Sequence, residues 1–282
     1  MVFDENEMER LLKNLYFKKL LYKIGVGSNP KPAYGWFGDY PTWEAARAQV
    51  GGYEQDNILE KTRQSLQKIR SGEAVYERDS VLFSHKEYPY PLISCLLHIA
   101  ATRNNRLHVI DFGGSLGSTW FQIRDFLAPL AKISWHIVEQ KNYVSWGKAN
   151  FEDDVLRFYY TLEESLNVCQ ADVILLSSVI QYMEKPHAFL SSLAKIAPAY
   201  IIFDRTSFID NGDDRLTIQR VNPSIYEASY PSWFFNKEKV LAHFDNYTLI
   251  AEFSSYVEGE AILYIDGKPQ AKDEGFFLKR KL

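Results

Sequence analysis

The chain of 282 residues is 46% hydrophobic and 24% charged, with a formal net charge of −4. That composition fits an ordinary globular protein with one large α/β domain and a smaller helical piece, and it lacks the basic excess that a nucleic-acid partner requires. Two cysteines, Cys95 and Cys169, without CxxC or Cys/His ligand spacing, give no disulfide framework and no structural zinc site.

Residues 1–7 are acidic and lack the basic and apolar regions of a signal peptide, and no apolar run approaches the roughly 18 residues of a membrane helix. The expected compartment is the cytoplasm. Residues 6–24 place Met8, Leu11, Leu12, Leu15, Leu20, Leu21 and Ile24 at helical spacing among Lys13, Lys18, Lys19 and Lys23. Such a helix packs on its own domain or a partner subunit, or rests on a membrane surface, and homo-oligomerisation is left open. Residues 25–41 read as an irregular connector. Thr42 caps a short helix through Ala48, Asp56 caps a second that stops at Ser71-Gly72, and Pro89 and Pro91 introduce a third.

The rhythm then changes to strand and helix in alternation. Strands are expected at 107–112, 134–139, 156–160, 172–177 and 200–204, with helices at 118–130, 143–151, 162–168 and 186–196 between them. This alternation implies a parallel sheet covered on both faces. A loop-rich stretch (205–236), a helix (237–244) and two strands (247–254 and 275–279) complete the pattern. The division is a helical N-terminal cap and connector (1–88) and an α/β core (89–282).

The most informative segment is Asp111-Phe112-Gly113-Gly114-Ser115-Leu116-Gly117-Ser118, where an apolar strand ends in an acid and a glycine turn leads into a helix. Such a turn lets a backbone approach a nucleotide. A dinucleotide fingerprint, GxGxxG, is broken twice, by Ser115 and Ser118. The methyltransferase pattern of an acid followed by alternating glycines is broken once, at Ser115. Asp111 at the strand end suits the cationic amino group of S-adenosylmethionine. Glu139 ends the second strand, where a carboxylate accepts both ribose hydroxyls, as it would for either cofactor. Gln140 follows it. Ser177, Ser178 and Gln181, after the fourth strand, face either the ligand or the start of the next helix.

At these residues the chain resembles class I S-adenosylmethionine-dependent methyltransferases. More narrowly, it resembles a family of bacterial methyltransferases often encoded beside surface-polysaccharide genes. The resemblance runs from about Trp36 to the C-terminus. It rests on Tyr76-Glu77-Arg78-Asp79-Ser80-Val81-Leu82-Phe83, Asp111 through Gln122, Trp135 through Gln140, Phe151-Glu152-Asp153 and Tyr230-Pro231-Ser232-Trp233. It implies a Rossmann-like, seven-stranded sheet with a helical N-terminal cap. It also implies methyl transfer to a small polar acceptor, a sugar or glycan precursor, with O-methylation favoured.

The cofactor set expected on this reading is Asp111, Gly113, Gly114, Ser115, Gly117, Glu139, Gln140, Ser177, Ser178 and Arg78, the last either on the cofactor carboxylate or in a surface salt bridge. Methyl transfer needs alignment and a positioned base. Asp204 and Arg205, with Asp210 behind them, are the candidates, and Asp204-Arg205 reads equally as an internal ion pair. His187 and His243 are read as structural. Trp36, Trp43, Tyr230 and Trp233 are candidate walls for the acceptor. No metal is expected. The alternatives are an NAD(P)-dependent sugar-modifying oxidoreductase and a non-catalytic methyltransferase-like subunit. Against the former, Tyr182 is followed at the fourth position by Pro186 rather than by lysine.

Overall fold

The computed structural model describes residues 33–50, 56–78, 81–83, 86–223, 225 and 227–281. The expected helix at 6–24 lies outside the described residues, as does the side chain of Arg78. Short β-branched and aliphatic runs supply the parallel strands β4 (Arg106–Phe112), β5 (Lys132–Val138), β6 (Leu156–Tyr159), β7 (Val173–Ser177) and β8 (Tyr200–Ile209). Four of them are buried along most of their length, as strands covered on both faces must be.

Two late strands, β11 (Tyr247–Ser254) and β13 (Lys268–Arg280), complete the order β6-β5-β4-β7-β8-β13-β11. Here β13 runs antiparallel to both of its neighbours in that order. This is the Rossmann-like, seven-stranded arrangement that the sequence implies.

The intervening helices cover the two faces. On one, α3 (Tyr90–Ala101), α4 (Ser118–Leu127) and α5 (Lys141–Asn150) bury Leu96, Ile99, Ile123 and Val144 against Leu107, Trp135 and Phe158. Helix α2 (Asp56–Ser71) adds Leu66 to this face. On the other, α6 (Leu162–Val168), α7 (Pro186–Ile196) and α8 (Lys237–Leu241) bury Leu162, Leu190, Leu193 and Val240 against Ile110, Ile174 and Phe203. Each such aliphatic or aromatic side chain contributes about 1.5–3 kcal/mol on burial. Thr161 Oγ1 caps α6 by accepting from the backbone of Glu164, and Asn236 caps α8 through Lys239.

The sheet does not stop at seven strands. The loop-rich reading of 205–236 is corrected: β8 continues to Ile209, and β9 (Arg215–Arg220) and β10 (Ser229–Phe234) form an antiparallel pair. Two three-residue strands, β1 (Gly35–Phe37) and β12 (Leu263–Ile265), link this pair to β13, giving the order β10-β9-β1-β12-β13, while β2 (Tyr76–Arg78) and β3 (Val81–Phe83) pair with each other as a separate antiparallel hairpin. Residues 35–37, read from sequence as connector, are thus part of the main sheet. The helix α1 (Trp43–Arg47), capped by Thr42 as expected, packs Ala46 against Leu216 and Ile218 of this arm.

The arm departs from the core where β8 and β13 bend together. Arg205 adopts a left-handed φ of +47°, and the β13 register slips between Glu274 and Phe276. Gly275 fills the slip, where a Cβ would lie 2.7 Å from the carbonyl oxygen of Phe203.

Candidate active site

Parallel strands place their carboxyl ends on one edge. Because α4 leaves β4 on one face and α7 leaves β7 on the other, the crevice between those strand ends is the switch point where ligands bind in open α/β sheets. A cleft of about 580 Å³ opens there. Its floor comes from the strand ends: Phe112 and Gly113 after β4, Glu139 and Gln140 after β5, Thr161 and Leu162 after β6, Ser178 and Val179 after β7. Its far wall comes from the arm and its neighbours: Trp43, Arg47, Tyr182, Tyr230 and Pro231.

The glycine turn is held from two sides. Gly113 (φ +74°) donates its N–H to the Val138 carbonyl at 2.8 Å, and a Cβ on it would come 2.3 Å from Val179 Cγ2. Gly117 (φ +98°) starts α4. Ser115, the one departure from the glycine pattern, also takes a positive φ of +56°. Its backbone N–H donates to Glu139 Oε2 at 3.2 Å, while Gln140 N–H donates to Glu139 Oε1 at 2.8 Å. The Glu139 carboxyl thus pins the turn and also lines the cleft. Burial raises it, and these two hydrogen bonds work in the opposite direction.

Asp111 does not line this cleft. It is 1% exposed, accepts from Trp135 Nε1 at 3.1 Å and lies directly beneath Gly114, whose Cβ would sit 2.5 Å from Asp111 Cγ. Burial pushes its carboxyl up to about 7; the Trp135 bond lowers it, and the charges of Glu139 and Asp204 raise it further.

The candidate catalytic pair is likewise interior. Asp204 is 3% exposed and accepts from Ser177 Oγ at 2.7 Å; burial raises its carboxyl. Arg205 does not close an ion pair with Asp204: its guanidinium makes two hydrogen bonds to Glu260, at 3.1 and 2.9 Å. Asp273, held by Ser207 Oγ at 2.6 Å, joins this cluster and is pushed by burial up to about 8. Asp210 lies on the arm, just past β8, with its backbone N–H on the Gln270 carbonyl.

Of the four candidate aromatic walls, Trp43 and Tyr230 line the cleft. Trp36 packs edge-on against Phe234 inside the arm, and Trp233 donates from Nε1 to the Met183 carbonyl. Tyr182, whose ring meets Tyr230 edge to face at 5.3 Å, was not singled out as a wall, and neither were Arg47 and Thr161. His187 and His243 lie outside the cleft lining, in a chain running from Asp214 to His187 (2.7 Å), His243 (2.8 Å) and Ser191 (3.1 Å). Among the described residues no metal-binding group of His, Cys, Asp or Glu occurs, and no helix is long and apolar enough to cross a membrane.

Fold and site together define a doubly wound α/β protein with a cleft at its switch point. No protein-family model matches the chain, and no curated protein matches it. Among solved structures it is similar to the N-terminal domain of EvdMO1 in the presence of SAH and D-fucose, with 13% identity over 82% of this chain and 98% of that one, TM-score 0.46. It is also similar to an S-adenosylmethionine-dependent methyltransferase from Clostridium acetobutylicum ATCC 824, with 10% identity over 79% and 99%, TM-score 0.45. A third is 1,6-didemethyltoxoflavin-N1-methyltransferase from Burkholderia thailandensis, with 11% identity over 83% and 95%, TM-score 0.44. Each is a distant likeness.

Proposed function

We propose that this protein is an S-adenosylmethionine-dependent methyltransferase acting on a small polar acceptor. The observation that carries the reading is the charge around the glycine turn. The Glu139 carboxyl lies against it and lines the cleft, with Asp111, raised to about 7 and only partly charged at neutral pH, buried beneath it and Asp204 buried behind. An anionic pyrophosphate is repelled there, whereas a ligand bearing a sulfonium and an ammonium group is attracted. Glu139 lines the cleft and is the proposed partner of the ribose hydroxyls, and Phe112, Val138, Leu162 and Val179 line it as the proposed apolar setting for a planar base.

The sulfonium cofactor supplies an already activated methyl group. What the chain must add is alignment, exclusion of water and a place for the acceptor's proton. Asp204 is the proposed proton acceptor. Burial raises its affinity for a proton, and the Ser177 hydroxyl that donates to it stands beside Ser178 at the cleft. Arg205 holds the bend through Glu260. Gly113, Gly114, Ser115, Gly117 and Gln140 shape the cofactor side, and Arg78 remains a candidate for the cofactor carboxylate.

The acceptor is proposed to be a sugar or glycan precursor, O-methylated, because the aromatic side chains of Trp43, Tyr182 and Tyr230 line the cleft on the wall opposite the floor. The test is transfer of an isotope-labelled methyl group from S-adenosylmethionine to a panel of sugar nucleotides and oligosaccharides. Label on a sugar oxygen supports this acceptor class. Label only on amines, or on none of the panel, removes it.

A further inference from the structure

Ser178 and Arg205 follow or bend the two neighbouring strands β7 and β8, and both take left-handed φ values, +50° and +47°. One side chain holds them. Gln181, 1% exposed, donates from Nε2 to the Arg205 carbonyl at 3.0 Å and to Ser178 Oγ at 3.2 Å. The orientation of the carboxamide is fixed, since a backbone carbonyl only accepts and therefore faces the nitrogen. Gln181 Oε1 is left buried without a hydrogen-bond partner among the described residues.

The direction of these bonds has a chemical consequence at the cleft. Ser177 Oγ spends its proton on Asp204. Ser178 Oγ instead receives one from Gln181, so its own proton points elsewhere. No acceptor for it occurs among the described residues, and Ser178 lines the cleft. Its backbone N–H is engaged by the Asp204 carbonyl at 2.9 Å, which leaves the hydroxyl as its free donor.

We infer that Gln181 is a positioning residue that makes Ser178 an outward hydrogen-bond donor, so that the ligand atom held at the switch point is an acceptor, a hydroxyl or carboxylate oxygen or a ring nitrogen. This rests on the proposed cofactor reading only for the choice of probe, S-adenosylhomocysteine, which carries all three.

The test compares four variants by calorimetric titration with that probe, after thermal melting has shown each to be folded. In Gln181→Glu the new carboxyl accepts the Ser178 proton and turns it away from the ligand, so affinity falls about tenfold, as in Ser178→Ala. The double variant is no weaker than either single one. Gln181→Met removes the guide without offering a competing acceptor, and affinity falls less than about threefold.

Equal losses in Gln181→Met and Gln181→Glu would mean that the side chain merely fills space, and an unchanged Gln181→Glu would overturn the inference outright. In the ligand-free protein, the side-chain amide protons of Gln181 report on the same pairing by NMR. One of them shifts in Ser178→Ala if the pairing exists, and neither moves if it does not. Wild-type protein that fails to bind the probe removes the cofactor reading, and the amide spectrum still decides the role of Gln181.

Discussion

Glu139 Oε2 accepts the backbone N–H of Ser115 across 3.2 Å, tying the end of β5 to the glycine turn after β4. The residue proposed to hold a ribose thus also fixes the shape of the neighbouring turn. Glu139→Ala is expected to weaken S-adenosylhomocysteine binding at least tenfold, about 1.4 kcal/mol. Glu139→Gln keeps an oxygen for Ser115 but loses the second charged acceptor, and its loss is expected to be smaller. Titration of folded variants checks both, and unchanged affinity in Glu139→Ala would contradict the placement.

Gly114 has no room for a side chain. A Cβ there meets Asp111 Oδ2 at 2.6 Å and Ile137 Cδ1 at 2.8 Å, both in the packed interior. Gly114→Ala is expected to cost about 1–3 kcal/mol by overpacking, measured by urea denaturation. Gly212, at φ +97° with nothing within 4 Å of its Cβ, gives the contrasting case, in which only backbone strain applies, whereas Gly114 has no positive φ and only the packing clash applies.

Stability should fall as pH rises through neutrality. Burial raises Asp111 to about 7 and Asp273 to about 8, so between an unfolded value of 3.8 and those values the folded state binds more protons than the unfolded one. Their contribution is complete below the unfolded value and lost as pH climbs through the folded ones. His136, lowered by burial to about 4, acts in the opposite sense, its contribution complete above 6.5 and lost as pH falls toward 4. Between about pH 6.5 and 8 the acids therefore act with little opposition from His136, with a slope of at most about 1.4 kcal/mol per pH unit for each group. Asp273→Asn, which keeps an oxygen for Ser207, should flatten that slope. A slope unchanged by the substitution would show that Asp273 is ionised throughout.

Arg205 lies, mostly covered, among Asp204, Glu260 and Asp273, and among the described residues it is the cation that offsets them. Removing it leaves the buried carboxyls of Asp204 and Asp273 and the partly buried Glu260 without it, whereas removing Glu260 leaves Arg205 beside two acids. Arg205→Ala is therefore expected to cost about 3–5 kcal/mol and Glu260→Ala clearly less, read from chemical denaturation. The reverse order would place the charge balance of the bend elsewhere.

The core was legible because its pattern is local. Apolar runs ending in Asp111, Glu139 and Ser177 mark strands whichever neighbours they have, and the glycine spacing marks the turn between Gly113 and Gly117. The arm was not legible. Pro231 inside β10 reads as a strand breaker, and β1 and β12, at three residues each, are too short to carry a period. The far wall of the cleft was hidden for the same reason: Trp43, Arg47 and Tyr230 reach the floor through the pairing of β10 with β9 and of β9 with β1. Asp111 shows a different limit. A carboxyl at a strand end is evident in sequence, but whether it faces a ligand or the underside of Gly114 depends on Trp135, which stands on the adjacent strand.

The most direct measurement is a calorimetric titration of the full chain with S-adenosylhomocysteine, with NAD and NADP run in parallel. Binding of the homocysteine compound alone, with a Kd in the micromolar range (about −8 kcal/mol), is the expected result. Binding of a nicotinamide dinucleotide instead, or of none of the three, would contradict the claim that the acidic turn between β4 and β5 is built for a sulfonium cofactor.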